Sequence, residues 1–411
     1  MNTVPGPLVL IEPYAHQVGG HHQRTLAAIA AARPDSLVIA PGGLSEDLGP
    51  LVRAGTRVAV GAAGPAAKIL LAAARAAARV SAAGQQVFAS RRWPQAVRRS
   101  PHQVILLARC LTEAACLRTA RRLAPRASAV VILSASEALH GATALLGGTP
   151  HLRFIHEAVT TEDRLIRWLS RLARAGEKRV IALYPTTAVR DQVAPAFPHL
   201  RGEVRAFAVD DGRPLTDAER DGARTAFTIP ADAKAVCVVG GWWPYKDIAT
   251  VDAALARLTI PLHVLVCGTP LDDAVLTRWR QLPNVRLHTV PGPVGDQVLR
   301  LVYAAADAAL VARKSSVGKE SGLVMDAARL AVPLIVSAHD PELTARLTGE
   351  SWARLFPAGD PDTLAKTLDH LTADAPSRPG PSARGVLDMN SAAEQAAFLT
   401  ETYTRLTKEC R

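Results

Sequence analysis

Cysteine, aromatic residues and lysine are all scarce in this sequence, and each scarcity narrows the kind of protein it encodes. The five cysteines are odd in number and include no CxxC pair, so neither a disulfide framework nor a zinc site is indicated. Aromatic residues make up only 4% of the chain, and no basic strand carries interleaved aromatics, which argues against nucleic-acid binding despite a net charge of +11. Only eight lysines occur, and three of them, Lys246, Lys314 and Lys319, fall in two predicted loops of the second half, at 240–246 and 313–319.

The sequence also lacks a long uninterrupted apolar run. Its first residues do not show the basic segment and apolar stretch of a secretory signal. The alanine-rich run at 66–83 is interrupted by Lys68, Arg75 and Arg79, which makes it a poor transmembrane span. We therefore expect a cytoplasmic protein, and its 411 residues make two domains the default expectation.

Apolar strand-like segments alternate with helical stretches along the chain, which is typical of an α/β protein with parallel sheets. The predicted strands are 8–11, 36–40, 57–60, 104–107, 129–133, 152–155 and 179–183 in the first half, and 235–239, 263–267, 285–288, 308–311 and 333–336 in the second. The turn-rich segment 207–214 between the halves is the expected hinge. A break rich in proline and serine at 375–385 precedes a last predicted helix, 391–407.

The strongest functional signal lies at 308–337. An apolar segment leads into a cationic loop containing Arg313, Lys314 and Lys319, and the loop ends in Glu320-Ser321-Gly322 at the start of a helical stretch. A strand, a loop and a helix N-terminus in this order present backbone N–H groups and a positive dipole end to an anion. This pattern predicts a phosphate site.

Several motifs of the second half have a known counterpart. A predicted strand is followed by the glycine-to-lysine segment 240–246 (GGWWPYK), another ends in Cys267-Gly268, and the run YAAAD at 303–307 precedes the phosphate loop. Together they resemble the nucleotide-sugar-binding domain of retaining glycosyltransferases with the GT-B fold, especially glycosyltransferase family four. The resemblance covers nearly the whole chain and is specific in the second half.

The resemblance implies an α/β protein of the GT-B fold, in which two Rossmann-like domains with parallel sheets face a central cleft. Residues 1–207 would form the acceptor-binding domain and 208–388 the nucleotide-sugar-binding domain. The C-terminal helix, 389–411, would pack back on the first domain.

The resemblance also implies roles for individual residues. Three are expected to be catalytic: Lys246 at the donor diphosphate, Glu320 in the glutamate-glycine segment, and His156, which follows an apolar strand and matches the family's histidine beside the donor sugar. Asp326 is expected to hold the ribose hydroxyls. The other expected donor contacts are Gly19, Gly20, Gly241, Val294, Arg313, Lys314, Lys319, Ser321, Gly322 and Leu323. Other roles remain open: Lys246 at the surface beside a helix, Glu320 and Asp326 as acids that favour a helix N-terminus, and His156 as a satisfied strand-end histidine.

The acceptor is expected to meet residues of the first half. His21 and His22 begin a helix after a Gly-Gly pair that resembles the first glycine loop of the acceptor domain, and Ser136 and Glu137 follow another predicted strand. For each histidine, a capping or surface role is the alternative.

The segment 162–174 predicts an amphipathic basic helix. Leu165, Trp168, Leu169 and Leu172 would share one face, with arginines on another. Such a helix can lie on an anionic membrane, but more often its apolar face packs on the core, and we expect the second outcome.

The expected activity is a metal-independent, retaining transfer of a sugar from a nucleoside diphosphate sugar to a small polar acceptor, with no cofactor besides the donor. Fixed cations and oriented N–H groups at the phosphate would stabilise the charge that develops there as the sugar leaves. The chain departs from the family in three places: Gly241 stands where an arginine is usual, Asp247 stands where a glycine follows the lysine, and Glu320 and Asp326 are six residues apart instead of eight. These departures motivate two alternatives: an enzyme that makes an N-linked, S-linked or non-glycosidic product, and an inactive nucleotide-binding partner of another protein. The sequence does not indicate the base, the sugar, the acceptor or the oligomeric state.

Overall fold

The computed structural model describes residues 6–18, 21–53, 56–88, 95–157, 163–210, 212–315 and 317–410. These residues form two compact units. The first contains residues 6–17, His21–Val209 and 391–410, and the second contains Asp210–Asn390. Each unit has its own hydrophobic core, built around a central sheet.

The first unit is built on a seven-stranded parallel sheet with the strand order β3-β2-β1-β4-β5-β6-β7. Its strands are β1 (Leu8–Ile11), β2 (Leu37–Ala40), β3 (Arg57–Val60), β4 (Ala129–Ile132), β5 (His151–Phe154), β6 (Val180–Tyr184) and β7 (Arg201–Val204). The central strands β1, β2 and β4 are fully buried, as expected of a parallel sheet covered on both faces.

Helices connect these strands. They are α1 (His21–Ala32), α2 (Leu48–Arg53), α3 (Pro65–Phe88), α4 (Gln95–Leu123), α5 (His140–Gly147), α6 (Arg164–Leu172) and α7 (Thr187–Val193), with a short 3₁₀ helix at Arg174–Arg179. The two longest helices, α3 and α4, pack against each other along their length and form a helical hairpin between β3 and β4.

The second unit is built on a six-stranded parallel sheet with the order β11-β10-β9-β12-β13-β14. Its strands are β9 (Ala235–Val239), β10 (Leu262–Gly268), β11 (Val285–Pro291), β12 (Ala308–Val311), β13 (Leu334–Ala338) and β14 (Ala353–Pro357). Its helices are α8 (Asp217–Ala226), α9 (Ile248–Leu255), α10 (Asp273–Gln281), α11 (Asp296–Ala305), α12 (Gly322–Leu330), α13 (Pro341–Leu347), α14 (Pro361–Asp369) and α15 (Ser382–Val386), with a 3₁₀ turn at His370–Thr372.

The chain passes between the units near two short strands, β8 (Val209–Asp210) and β15 (Asn390–Ser391). A capping box at Ser391 and Glu394 then begins the last helix, α16 (Ala392–Glu409). This helix packs on α1 and contributes Leu399 and Leu406 to the core of the first unit.

One expectation about an individual element is wrong, and two strands of the sheets were not expected. Residues 104–107 are not a strand but part of α4, because a short apolar run has the same composition in a buried helix as in a buried strand. The strands β7 and β14 were not predicted. Both lie at sheet edges and are only partly buried, so neither has a continuous apolar run to mark it.

The predicted amphipathic helix forms as α6, but its faces differ from the expectation. Ile166 and Ser170 are buried, whereas Leu165, Trp168 and Leu172 are exposed. The expectation that these three side chains pack on the core is therefore wrong; Leu169 does pack against core residues. Glu162 lies outside the described residues. Among the helices that the structure describes, none is long and apolar enough to cross a membrane.

Candidate functional site

The strand order of each sheet marks the place where a ligand is most readily bound. In the first unit the order reverses between β1 and β4, and in the second between β9 and β12. In open parallel sheets, ligands bind outside the carboxyl ends of the strands at such a switch point. The residues that follow these four strands are Glu12, Leu133-Ser134, Gly240 and Ala312-Arg313.

The switch point of the second unit holds two buried cations, Lys246 and Arg313, which we call the cation pair. Their backbones form an isolated antiparallel bridge, and the side chains are 9% and 3% exposed. Nζ of Lys246 donates a hydrogen bond to the Val239 carbonyl at 2.6 Å. Among the described residues, neither member of the cation pair forms an ion pair with a carboxylate. Two cationic side chains are thus buried together with no carboxylate in ion-pairing contact, although the charges of Glu320 and Asp340 act on Arg313 from farther away.

This arrangement changes the proton affinity of Lys246. Burial, and secondarily the positive charge of Arg313, lower the pKa of Lys246 to about 7. Burial also lowers the pKa of Arg313. An anion bound beside the two groups would reverse both effects, since it favours the charged form of each.

Arg313 also shapes the loop that follows β12. Its guanidinium donates to the carbonyl of Lys319 at 2.6 Å and to that of Glu320 at 3.5 Å. The Tyr245 ring lies 5.4 Å from both the Arg313 guanidinium and the Lys319 ammonium. The guanidinium therefore holds the end of the cationic loop against the start of α12.

The N-terminus of α12 adds neutral donors to the cation pair. Ser321 is the N-cap residue, but its side chain makes no capping hydrogen bond, and its buried Oγ has no hydrogen-bond partner among the described residues. The N–H groups in the first turn of a helix have no acceptor within the helix, and the helix dipole is positive there. This end of α12 can therefore receive an anion.

Tight backbone packing leaves no room for a side chain at Gly241. A Cβ atom at Gly241 would lie 2.1 Å from the Thr269 carbonyl oxygen, and one at Gly268 would lie 2.6 Å from the carbonyl carbon of Gly240. The turn after β9 is thus pressed against the turn after β10, and no side chain fits at position 241. Arg313 stands beside Lys246 in this arrangement.

A serine and a histidine at the end of β13 also belong to this site, although the sequence analysis did not select them. Ser337 Oγ accepts from the backbone N–H of Arg313 at 2.9 Å and contacts Nδ1 of His339 at 3.0 Å. Burial, with a contribution from Arg313, lowers the pKa of His339 to about 4, so the ring is neutral at pH 7. Its Nε2 is buried and has no partner among the described residues. The sequence signal that could have identified Ser337 and His339 was their position at the end of a predicted strand.

The other predicted donor residues have varied surroundings. Lys314 is exposed, whereas Lys319 is partly buried and Glu320 is buried. Val294 and Leu323 pack against the core of the second unit. Asp326 is buried, and its carboxylate pairs with Arg329 of the same helix at 3.2 Å. Its role at a ribose remains a prediction.

The switch point of the first unit gathers four polar side chains, which we call the strand-end network. Ser134 Oγ donates to Glu12 Oε2 at 2.6 Å and lies 3.3 Å from Nδ1 of His22. The rings of His22 and His156 meet edge to face with their centroids 4.3 Å apart. Nε2 of His156 is 2.8 Å from the Leu133 carbonyl, which makes it the donor nitrogen of that ring. His22 and His156, predicted independently, are therefore neighbours.

Glu12 is the unexpected member of the strand-end network. It is 1% exposed, and its Oε1 accepts from the backbone N–H of Tyr14 at 3.0 Å. Burial raises the pKa of Glu12 to about 7, against the opposing effect of the Ser134 hydrogen bond. A lone acid directly after a fully apolar strand was the sequence signal for it.

Ser136 and Glu137 are committed to internal contacts. The Ser136 backbone N–H donates to Glu113 at 2.5 Å, and its Oγ donates to the Ala138 carbonyl. Glu137 pairs with Arg109 at 3.2 Å. Both residues are buried, and their contact with an acceptor remains a prediction.

A pocket of about 310 Å³ opens beside this region. It lies at the carboxyl ends of β1 and β2, under the helical hairpin of α3 and α4. Its polar lining comprises Tyr14, His16, Gln17, Arg75, Arg109, Thr112 and Glu113. The sequence analysis missed these residues because they come from three separate segments.

Some predictions cannot be placed. Gly19 and Gly20 lie outside the described residues, and His21 is described only as the first residue of α1. Among the residues that the structure covers, no group of three or more His, Cys, Asp or Glu side chains is arranged to hold a metal ion. Metal independence stays a prediction.

Comparison with solved structures identifies the fold. A glycosyltransferase from Rickettsia africae matches with a TM-score of 0.62 and 12% identity, over 98% of this chain and 99% of that one. Anabaena HepE, solved with UDP and glucose, matches with a TM-score of 0.59 and 12% identity over 98% and 99% of the two chains. A UDP-forming trehalose-phosphate synthase from Burkholderia xenovorans matches with a TM-score of 0.59 and 10% identity over 97% and 100%.

These matches confirm the predicted GT-B fold of two Rossmann-like domains with parallel sheets. No protein-family model matches the sequence, and no curated protein is significantly similar to it. The likeness is therefore one of fold.

Proposed function

We propose that the protein is a metal-independent, retaining glycosyltransferase that moves a sugar from a nucleoside diphosphate sugar to a small polar acceptor. The observation that carries this proposal is the cation pair, Lys246 and Arg313, buried without a carboxylate partner beside the N-terminus of α12. Burying two cations that no carboxylate contacts directly is costly, so a site of this kind favours an anionic ligand. The UDP and UDP-glucose bound by HepE, a protein of the same fold, support a nucleotide sugar as that ligand.

The chemistry of the donor explains why cations are useful at this place. When the bond between the anomeric carbon and the β-phosphate oxygen breaks, negative charge grows on the phosphate. Lys246 as an ammonium, together with the N–H groups and Ser321 Oγ at the start of α12, would stabilise that charge. Arg313 would act next to them through its charge while it holds the loop in place.

The acceptor step needs a hydroxyl and a place for its proton. In a retaining transfer on one face of the sugar, the leaving phosphate takes the proton of the acceptor hydroxyl, so no dedicated protein base is required. We assign His156 to the donor sugar, as its family resemblance implies. The 310 Å³ pocket, with Arg75 and Arg109 in its lining, is our candidate for the acceptor.

The test is a panel of UDP, GDP and ADP, and of their sugars, by calorimetry and by mass spectrometry of products. We expect one nucleotide to bind and its sugar to be consumed. Lys246→Met, which keeps the aliphatic length but removes the charge, should weaken nucleoside diphosphate binding by about 10- to 100-fold, the range for a hydrogen bond to a charged group. Lys366→Met, at an exposed position of α14, is the matched control and should bind as the wild type does.

The outcomes separate the alternatives. Binding without any turnover would favour an inactive nucleotide-binding partner, and an N-linked, S-linked or non-glycosidic product would favour the second kind of enzyme. Inversion of the anomeric centre, seen by NMR of the product, would rule out the retaining mechanism. Failure of every nucleotide to bind would refute the proposal as a whole.

A further inference from the structure

Helix α3 has an exposed apolar face that nothing in the described structure covers. We call it the outer face of α3 and define it by Ile69, Ala73, Ala76, Val80, Ala83 and Val87. Ile69 is 69% exposed, Val80 62% and Val87 60%, and the four-and-three spacing of the six residues places them in one stripe along the helix. The helix has 24 residues, so the stripe extends over most of its length of about 36 Å. Single exposed apolar residues are ordinary, but a continuous row of this length marks an interaction surface.

The segment of sequence that carries the outer face has charged residues of one sign. Between Pro65 and Thr112 the sequence has eight lysines and arginines and no aspartate or glutamate. Lys68, Arg75 and Arg79 lie along one flank of the stripe on α3 itself, by their positions on the helix. A helix with an apolar face and a purely basic flank has the character of helices that lie in the interface of an anionic membrane.

The opposite side of the same helix belongs to the interior of the first unit. Ala67, Leu71, Ala74 and Ser81 are buried, and Leu71, Ala74 and Arg75 line the 310 Å³ pocket. The outer face is therefore directed away from the pocket, across one helix diameter of about 10 Å. A partner that binds the outer face would therefore not contact the residues that line the pocket.

The outer face could be covered by a second copy of the chain, by nucleic acid or by a lipid membrane, and its charge distinguishes these partners. A second copy of this chain would bring one basic α3 against another and would add like-charge repulsion to any apolar contact, since α3 itself has no acidic residue. Nucleic acid would satisfy the charge but not the row of aliphatic side chains. An anionic lipid surface satisfies both, since the side chains enter the acyl boundary while the basic residues remain among the headgroups.

We infer that the outer face of α3 docks the protein on an anionic lipid membrane as a peripheral, non-spanning protein. Docking holds the pocket lining within about one helix diameter of the lipid surface, so that acceptors presented at that surface are close to it. The inference concerns binding alone and does not depend on the proposed transfer reaction.

The experiment is co-sedimentation of the full chain with vesicles, without nucleotide. We use vesicles of phosphatidylcholine alone and of phosphatidylcholine mixed with phosphatidylglycerol. Wild type should bind only the second kind, less strongly as salt rises. The triple variant Ile69→Gln/Val80→Gln/Val87→Gln, which leaves every charge unchanged, should lose at least about tenfold in partitioning, because three aliphatic side chains no longer enter the membrane.

Two matched controls replace exposed apolar residues elsewhere. Val298→Gln/Leu301→Gln changes α11 of the second unit, and Trp168→Gln/Leu172→Gln changes the exposed apolar face of α6. Both should sediment as the wild type does, and circular dichroism should show all variants folded, since every changed side chain is exposed.

Several results would overturn the inference. One is a wild type that ignores phosphatidylglycerol vesicles, and another is a triple variant that binds them unchanged. Loss of binding only in the α6 variant would place the docking surface on α6 instead. A wild type that dimerises in analytical ultracentrifugation and becomes monomeric in the triple variant, with no vesicle binding, would show that the outer face pairs two copies of the chain.

Discussion

Lys246 shows how burial can change the proton affinity of a lysine. Its lowered pKa of about 7 means that near neutral pH the free protein holds this lysine only partly charged. A nucleoside diphosphate would favour the ammonium form, so binding should be accompanied by proton uptake.

We predict that nucleoside diphosphate affinity falls by as much as about tenfold per pH unit above pH 7, because a growing fraction of the free protein must first protonate Lys246. The diphosphate itself is already ionised in this range. Calorimetric titrations between about pH 7 and 9, in buffers with different ionisation enthalpies, measure both affinity and proton uptake. Lys246→Met should show neither dependence. A wild-type affinity that is constant over this range would mean that Lys246 does not meet the anion.

Glu12 makes a second pH-dependent contribution, this time to stability. Its pKa is about 7 in the folded protein and near the ordinary glutamate value of 4.5 when unfolded, so the folded state binds the extra proton between these values. The free energy of unfolding should therefore fall as pH rises from about 4.5 to 7. Above pH 7 the total loss should reach about 3 kcal/mol.

Glu12→Gln should remove this dependence, because the amide oxygen can accept from the Tyr14 N–H and the amide NH2 can donate to Ser134 Oγ, but the group cannot ionise. Urea unfolding of wild type and variant at pH 5 and pH 8 gives the comparison, in which the variant gains relative stability at the higher pH. An equal difference at both pH values would show that Glu12 does not titrate in this range.

Substitution of Gly241 tests whether packing excludes a side chain at this position. A Cβ at this position would lie 2.1 Å from a backbone oxygen, so Gly241→Ala should cost about 1–3 kcal/mol of stability through overpacking. Gly222→Ala is the matched control, because nothing lies within 4 Å of its Cβ position in α8, and it should gain up to about 1 kcal/mol from helix propensity. If Gly241→Arg folded as stably as wild type in thermal unfolding, sterics would not be the reason for the glycine.

Helices α12 and α16 both begin with a serine N-cap, but only one of the two serines caps its helix. Ser321 begins α12 without a side-chain capping bond, whereas Ser391 begins α16 in a full capping box. The first serine leaves its oxygen available to a ligand, and the second uses it for the helix.

We predict opposite phenotypes for the two alanine variants. Ser391→Ala should lose about 1 kcal/mol of stability, the usual value of an N-cap, and bind nucleotide normally. Ser321→Ala should lose less than about 0.5 kcal/mol, since no cap bond is broken, but should bind nucleoside diphosphate more weakly. Urea unfolding and calorimetry on the same preparations give both numbers. A stability loss at Ser321 with intact nucleotide affinity would make that serine structural.

At the scale of the whole molecule, the proposed reaction draws on both units. Lys246 and the start of α12 belong to the second unit, and His156 belongs to the first. We predict that donor binding makes the molecule more compact in small-angle scattering and protects the hinge segment near 210–213 from proteolysis, because the reacting carbon must be shielded from water. If a tightly bound nucleotide changed neither, the assignment of His156 would be the first to be withdrawn.

Much of the second unit's site could be predicted from sequence because it is local. The strand, cationic loop and helix start between Ala308 and Leu330 are consecutive, so their order alone indicated an anion site. The alternation of apolar runs likewise predicted parallel sheets, since a buried strand must be apolar on both faces. The edge strands β7 and β14 escaped detection because partial burial removes that signal.

What only the tertiary structure decided are the contacts between distant segments. Glu12, Ser134 and His156 come from three different strand ends and meet only because β1, β4 and β5 are neighbours in the sheet. Position 241 must be glycine because a turn 28 residues later presses on it. The direction of a side chain is also a tertiary property: the sequence determined that α3 is a long helix rich in alanine, but packing against α4 decided which of its faces is left for solvent or a partner.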